Sequence, residues 1–167
     1  MYSSDVPLGT CGPWSVHETF YPVGDETIRG RELSRDGINW MCDRPGEIES
    51  MREGIEEAKR RGGQVLKSGL GLGAFVDLVL ESPAVQCVTV VENSPEVIAL
   101  VAAHVAYKHG ERVRVVEADA YRWQPDRRFT VGYHDIWLKG PTPEEERELL
   151  AHYGQHCDWQ GVWRCPW

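Results

Sequence analysis

The segment Gln64-Val65-Leu66-Lys67-Ser68-Gly69-Leu70-Gly71-Leu72-Gly73 runs from a short apolar strand straight into a glycine-rich turn. A helix from about Ala74 to Glu81 follows and is closed by Ser82-Pro83. Strand, glycine turn and helix in that order open a βαβ unit. Downstream, Cys87-Val88-Thr89-Val90-Val91 reads as a buried strand ending at Glu92. Asn93-Ser94-Pro95-Glu96 then starts a helix, with Ser94 as cap, Pro95 at the first position and Glu96 in the first turn. Val97, Ile98, Val101 and Val105 form its apolar face. Val113–Val116 is a third strand, Phe129–Trp137 a fourth, and Cys157–Trp163 a fifth. A charged helix, Pro143–Tyr153, precedes the last of these and turns Leu149 and Leu150 inward. Upstream, Pro45 opens a helix that carries Ile48, Met51 and Ile55 and ends at Gly62-Gly63. The alternation predicts an α/β fold: a doubly wound, mostly parallel sheet with helices on both faces.

Ligands on such sheets bind at the carboxyl ends of the strands, so the residues at those ends are site candidates. Gly69, Leu70, Gly71 and Gly73 form a turn whose backbone can approach a ligand closely and offer its amides. The spacing is GxGxG rather than the GxGxxG of nicotinamide binding, with Ala74 where that motif has its last glycine. Glu92 lies 23 residues after Gly69, and an acid there accepts two hydrogen bonds from ribose hydroxyls, with Asn93 beside it. Asp119-Ala120 follows the third strand, where an acid beside a small residue suits an adenine ring.

These elements, in this order, resemble class I S-adenosylmethionine-dependent methyltransferases over Gln64 to about Trp137. The resemblance implies a Rossmann-like fold with S-adenosylmethionine as cofactor. Gly69, Gly71 and Gly73 would cradle its methionine part, Glu92 its ribose, and Asp119 with Ala120 its adenine. The family commonly has an acid two residues before the first glycine. Here Lys67 stands in that place and is expected to meet a carboxylate or to point to solvent.

Other segments resemble the spermidine synthase branch and small phage and bacterial proteins. Leu33–Trp40 is similar to the segment closing the synthases' N-terminal hairpin domain, and Asp43–Glu49 to the acidic stretch entering their first helix. Phe129–Asp135 resembles the strand that delivers their catalytic aspartate, which places that role on Asp135. The synthases continue with a Ser-Ser-Asp loop, whereas this chain has Ile136-Trp137-Leu138. His134-Asp135-Ile136-Trp137 and Asp158-Trp159-Gln160-Gly161 look like features of the short phage and bacterial proteins. The branch implies an alternative reaction, aminopropyl transfer from decarboxylated S-adenosylmethionine. A second alternative is a cofactor-fold binding module without catalysis. An acid at Asp135 can orient an amine, His134 can act as a base near neutral pH, and Trp137 can wall a cation or an adenine ring.

Composition narrows the class. The chain has 167 residues, 41% hydrophobic and 26% charged, which is enough for one ordinary domain. The expected division is an N-terminal β-hairpin or meander over 1–44 and the Rossmann-like unit over 45–167, shortened at its C-terminus. The first 45 residues are rich in Gly, Pro and aromatics, with turn signals at Pro22, Gly24-Asp25 and Asp36-Gly37. Eighteen basic against 26 acidic residues give a net charge of −8, opposite to the basic field of a nucleic-acid binder. An acidic field favours a small or cationic ligand. No apolar run approaches a membrane span, and the first 14 residues lack a signal peptide's basic and apolar regions. Five cysteines at irregular spacing suit a reducing compartment, so the expected location is the cytoplasm. His152, His156, Cys157 and Cys165 lack the regular spacing of a structural zinc site. Trp159, Trp163 and Trp167 crowd the end of the chain, where they either fold back over the sheet or form a subunit interface. With an open edge strand, that predicts a homodimer.

Overall fold

The computed structural model describes residues 2–164, so Cys165 and Trp167 lie outside it. An antiparallel sheet comes first, with β1 (Gly9–Cys11), β2 (Trp14–Val23), β3 (Glu26–Arg35) and β4 (Ile38–Cys42) in that spatial order. Two of the expected turns are two-residue hairpin loops, Gly24-Asp25 and Asp36-Gly37. In the second, Asp36 and Gly37 both have positive φ, 50° and 76°, which matches the twist of the flanking strands. Pro22 makes no turn; it lies within β2, opposite Thr27.

The second sheet contains β5 (Gly63–Ser68), β6 (Val85–Glu92), β7 (Val113–Glu117), β8 (Val131–His134) and β9 (Gln160–Val162). Their order is β7-β6-β5-β8-β9, and every pairing is parallel. The strand order therefore reverses at β5, and the turns leaving β5 and β8 flank the switch point where such sheets bind ligands.

The helices are α1 (Pro45–Ser50), α2 (Arg52–Arg61), α3 (Ala74–Leu80), α4 (Pro95–His109) and α5 (Pro143–Tyr153). The single helix expected after Pro45 is broken at Met51. There the Ser50 hydroxyl donates to the Glu47 carbonyl at 2.6 Å, competing with the helical ladder. Ser94 caps α4 through the Val97 amide, with Pro95 first, as the sequence indicates. Thr142 and Glu145 form a reciprocal capping box on α5.

Strand alternation divides the core between the two faces of the parallel sheet. Val65, Val88, Val90, Val131 and Tyr133 pack on the side of α2, α3 and α4. Leu66, Val91 and Phe129 pack with Leu149 and Tyr153 of α5 on the other. The antiparallel sheet joins the first of these clusters through Trp14, Val16 and Leu33. It is tied to the chain's start by the buried Asp43 carboxylate, which accepts from the Ser4 amide at 2.6 Å and the Arg31 amide at 2.9 Å.

Trp163 is buried and Trp159 packs against the core, which removes much of the apolar patch that suggested a dimer. β9 is three residues long and forms one edge of the sheet. No helix among the described residues is long and apolar enough to cross a membrane.

Candidate functional site

A cavity of about 920 Å³ opens over the carboxyl ends of the parallel strands, and the antiparallel sheet supplies part of its lining. The glycine turn forms its base. Gly69 has φ 88° and Gly71 φ 53°, conformations that disfavour a side chain. A Cβ on Gly69 would overlap the Asp135 carbonyl oxygen, and one on Gly71 would overlap the Met41 sulfur. Met41 belongs to β4, and its Sδ accepts from the Leu72 amide at 3.4 Å. The antiparallel sheet thus rests directly on the turn.

Glu92, at the end of β6, is 9% exposed. One carboxylate oxygen accepts from the Leu70 amide and the other from the Ser94 amide, each at 2.9 Å. Those two bonds fix the side chain between the glycine turn and the start of α4. The remaining lone pairs are left for further donors.

After β7, Asp119 is half-exposed and accepts from the Tyr121 amide at 2.9 Å. Ala120 is buried beside it, and its carbonyl accepts from the Tyr153 hydroxyl at 2.6 Å. Beyond β8, the Trp137 indole donates to the Tyr121 hydroxyl at 3.2 Å, which joins the β7 and β8 loops along one wall.

Lys67 is the centre of the electrostatics. Its side chain is 4% exposed, and its ammonium lies 3.2 Å from the Asp135 carboxylate and 3.0 Å from the Ser68 carbonyl. It also stands 5.7 Å from the Phe75 ring centre and 5.5 Å from that of Tyr133, two rings stacked on each other. Burial pushes its pKa below the usual lysine value, while Asp135 pulls the other way. Of the two expectations for this lysine, the first is realised: it meets a carboxylate, that of Asp135.

The two strand-end candidates on β8 part company. Strand alternation directs Asp135 with Lys67 toward the cavity and His134 to the opposite face. His134 is fully buried and stacked on Tyr153 at 5.0 Å. Its Nε2 donates to Gln160 at 3.1 Å, and its Nδ1 accepts from the Ser68 hydroxyl at 2.8 Å. Burial pushes its pKa down to about 4. It does not line the cavity, which removes it from the site as a base.

No family model matches the chain, and no curated protein matches it in sequence. Solved structures do match. The glycopeptide N-methyltransferase MtfA complexed with S-adenosyl-L-methionine is 24% identical, with a TM-score of 0.52 over 65% of this chain and 50% of that one. The N-methyltransferase NodS from Bradyrhizobium japonicum WM9 is 16% identical, with a TM-score of 0.56 over 69% and 64%. A dimethyladenosine transferase from Plasmodium falciparum is 19% identical, with a TM-score of 0.52 over 68% and 38%. The fold is that of the Rossmann-like methyltransferases. The chain spans 50%, 64% and 38% of these three proteins.

On this fold Gly69, Leu70, Gly71, Glu92, Asn93, Asp119, Ala120, Asp135 and Trp137 all line the one cavity. Gly73 does not; a Cβ there would press on Val105 of α4, so this glycine serves close helix packing. Sequence reading missed Arg35, Trp40, Met41, Glu47 and Trp163, which also line it. All five come from outside the βαβ segment that carried the motif. Glu47 is partly buried on α1 with Arg44 at 4.0 Å. Burial, reinforced by the charge of Asp135, raises its pKa.

Proposed function

We propose that the protein is an S-adenosylmethionine-dependent methyltransferase acting on a small or cationic acceptor. The observation that carries this reading is Glu92, pinned by the Leu70 and Ser94 amides beside a turn whose glycines leave no room for side chains. A strand-end acid fixed against a glycine turn suits a ribose diol, and the half-exposed Asp119 beside buried Ala120 suits an adenine edge. The fold shared with the N-methyltransferases MtfA and NodS supports the same assignment.

In this reading Gly69, Leu70 and Gly71 hold the methionine part, Glu92 and Asn93 the ribose, and Asp119 and Ala120 the adenine. The bound cofactor supplies an electrophilic methyl group. Lys67 offers a cation to its α-carboxylate, a group that decarboxylated S-adenosylmethionine lacks. This favours methyl over aminopropyl transfer. Asp135 balances Lys67 and orients the acceptor, with Trp137 as an aromatic wall. The inward packing of Trp159 and Trp163 weighs against a module that acts through an exposed tryptophan tail.

Calorimetric titration with S-adenosylmethionine, its decarboxylated form and NAD tests the reading. The expected result is micromolar binding of the first, weaker binding of the second, and none of the third. Glu92→Ala should weaken the binding roughly a hundredfold. Preference for the decarboxylated form would overturn methyl transfer, and binding of none of the three would overturn the cofactor assignment.

A further inference from the structure

The cavity is lined by six carboxylates, Glu47, Glu92, Glu96, Asp119, Asp135 and Glu145, against three cations, Arg35, Arg44 and Lys67. Five of the carboxylates have close donors. Glu92 takes the Leu70 and Ser94 amides, Glu96 the Ser94 hydroxyl at 2.8 Å, and Asp119 the Tyr121 amide. Glu145 takes the Thr142 amide at 2.7 Å, and Asp135 takes Lys67. Glu47 differs: its ion pair with Arg44 sits at 4.0 Å, the outer limit of such a contact. Its side chain is only 16% exposed, and it lines the cavity.

Its surroundings are specific. The Ser50 hydroxyl that donates to the Glu47 carbonyl also accepts from the Trp163 indole at 2.8 Å. That places an anchored tryptophan, itself a cavity wall, against the helix that carries Glu47. Burial disfavours ionisation of Glu47, Arg44 opposes that, and the charge of Asp135, which lines the same cavity, adds to it. Two carboxylates that oppose each other across a cavity are relieved by a cation placed between them, and an aromatic face adds attraction for that cation.

We propose that Glu47 and Asp135 form the acceptor subsite for an amine, with Glu47 the residue that takes the amine's proton. This rests on the methyltransferase reading and names the acceptor within it. The acceptor arrives as an ammonium ion, held between the two carboxylates along the Trp163 wall. Its proton passes to the Glu47 carboxylate. The freed nitrogen lone pair then forms the new N–C bond as the carbon–sulfur bond of the sulfonium breaks, its electron pair remaining on sulfur. Asp135, held by Lys67 at 3.2 Å, positions the nitrogen. Glu47 later releases its proton to solvent.

The test follows tryptophan fluorescence of the protein saturated with S-adenosylhomocysteine, titrated with n-butylamine and with n-butanol. The amine should bind at least about tenfold more tightly than the alcohol, the advantage of a charged hydrogen-bonded pair. Glu47→Gln should remove that advantage while leaving S-adenosylhomocysteine affinity unchanged, and Glu47→Asp should restore part of it. Equal binding of amine and alcohol, or no amine binding, overturns the proposal on the unaltered protein alone. An amine preference untouched in a folded Glu47→Gln variant overturns the role of Glu47. If S-adenosylhomocysteine itself does not bind, the underlying reading falls and this proposal with it.

Discussion

Glu92 and Asp135 close one cavity from either side of β5, yet they are held by opposite means. Glu92 is gripped by two backbone amides, Asp135 by a side-chain ammonium. An amide grip is built by the course of the chain and outlasts most side-chain changes. An ammonium grip rests on one residue, Lys67, and carries the cost of burying its charge. The β6 side of the site is therefore a fixed frame, and the β8 side is an adjustable electrostatic arrangement.

The sharpest way to break this contrast is at the point where the two sides touch. Gly69→Ala places a methyl group on the Asp135 carbonyl oxygen at a φ of 88°. We expect a loss of roughly 3 kcal/mol or more in denaturant unfolding, since a left-handed position and a backbone overlap combine. A loss below about 1 kcal/mol would show that the two strand ends are not locked together.

The β8 side should also show in the pH dependence of stability. His134 has its pKa pushed down to about 4 when folded, against 6.5 as the ordinary value. Between those values the unfolded chain binds the proton and the folded one does not, so stability rises with pH. It is fully present above pH 6.5 and lost as pH falls toward 4, by about 3 kcal/mol in all. His134→Gln should flatten this window in thermal or chemical unfolding. An unchanged slope would place the acid sensitivity elsewhere.

On the β6 side, Glu92→Ala strands two partly buried amides. We expect about 2 kcal/mol lost in stability and roughly a hundredfold loss in S-adenosylmethionine affinity by calorimetry. Glu92→Gln keeps one acceptor and should fall between. Lys67→Met leaves the Asp135 carboxylate without its ammonium and should cost about 2 kcal/mol in stability, less than for a fully buried pair because Asp135 is 19% exposed. It should also reduce binding of S-adenosylhomocysteine about tenfold while sparing methylthioadenosine, which has no carboxylate. An equal loss for both ligands would remove Lys67 from carboxylate binding.

The same contrast separates what the sequence reveals from what it hides. Glu92 closes a strand, and Gly69 and Asp119-Ala120 follow one within a few residues, so local pattern and spacing suffice to find them. The β8 end is harder to read, because the pattern predicts a strand over Phe129–Trp137 whereas β8 spans Val131–His134. Phe129 makes only an isolated bridge to Cys157, and the chain leaves the sheet at Asp135. The period of two was nevertheless a usable signal, since it puts Tyr133 and Asp135 on one face and His134 on the other. Glu47, Trp40 and Trp163 had no such signal. They reach the cavity through helix, hairpin and tail packing, and no local spacing encodes that convergence. The helix break at Met51 was likewise hidden in an unbroken apolar repeat at Ile48, Met51 and Ile55.

The central position of β5 has a kinetic consequence. The antiparallel sheet joins strands through two-residue loops, contacts that close early for little entropy. Val65 instead pairs with Val131, 66 positions later, and the glycine turn meets Asp135 across a similar span. Hairpins of that kind form in microseconds, whereas a pairing of that range must wait for the intervening units to order. The meander that covers the glycine turn is therefore expected to form before the turn has its second wall, with the β5–β8 junction closing late.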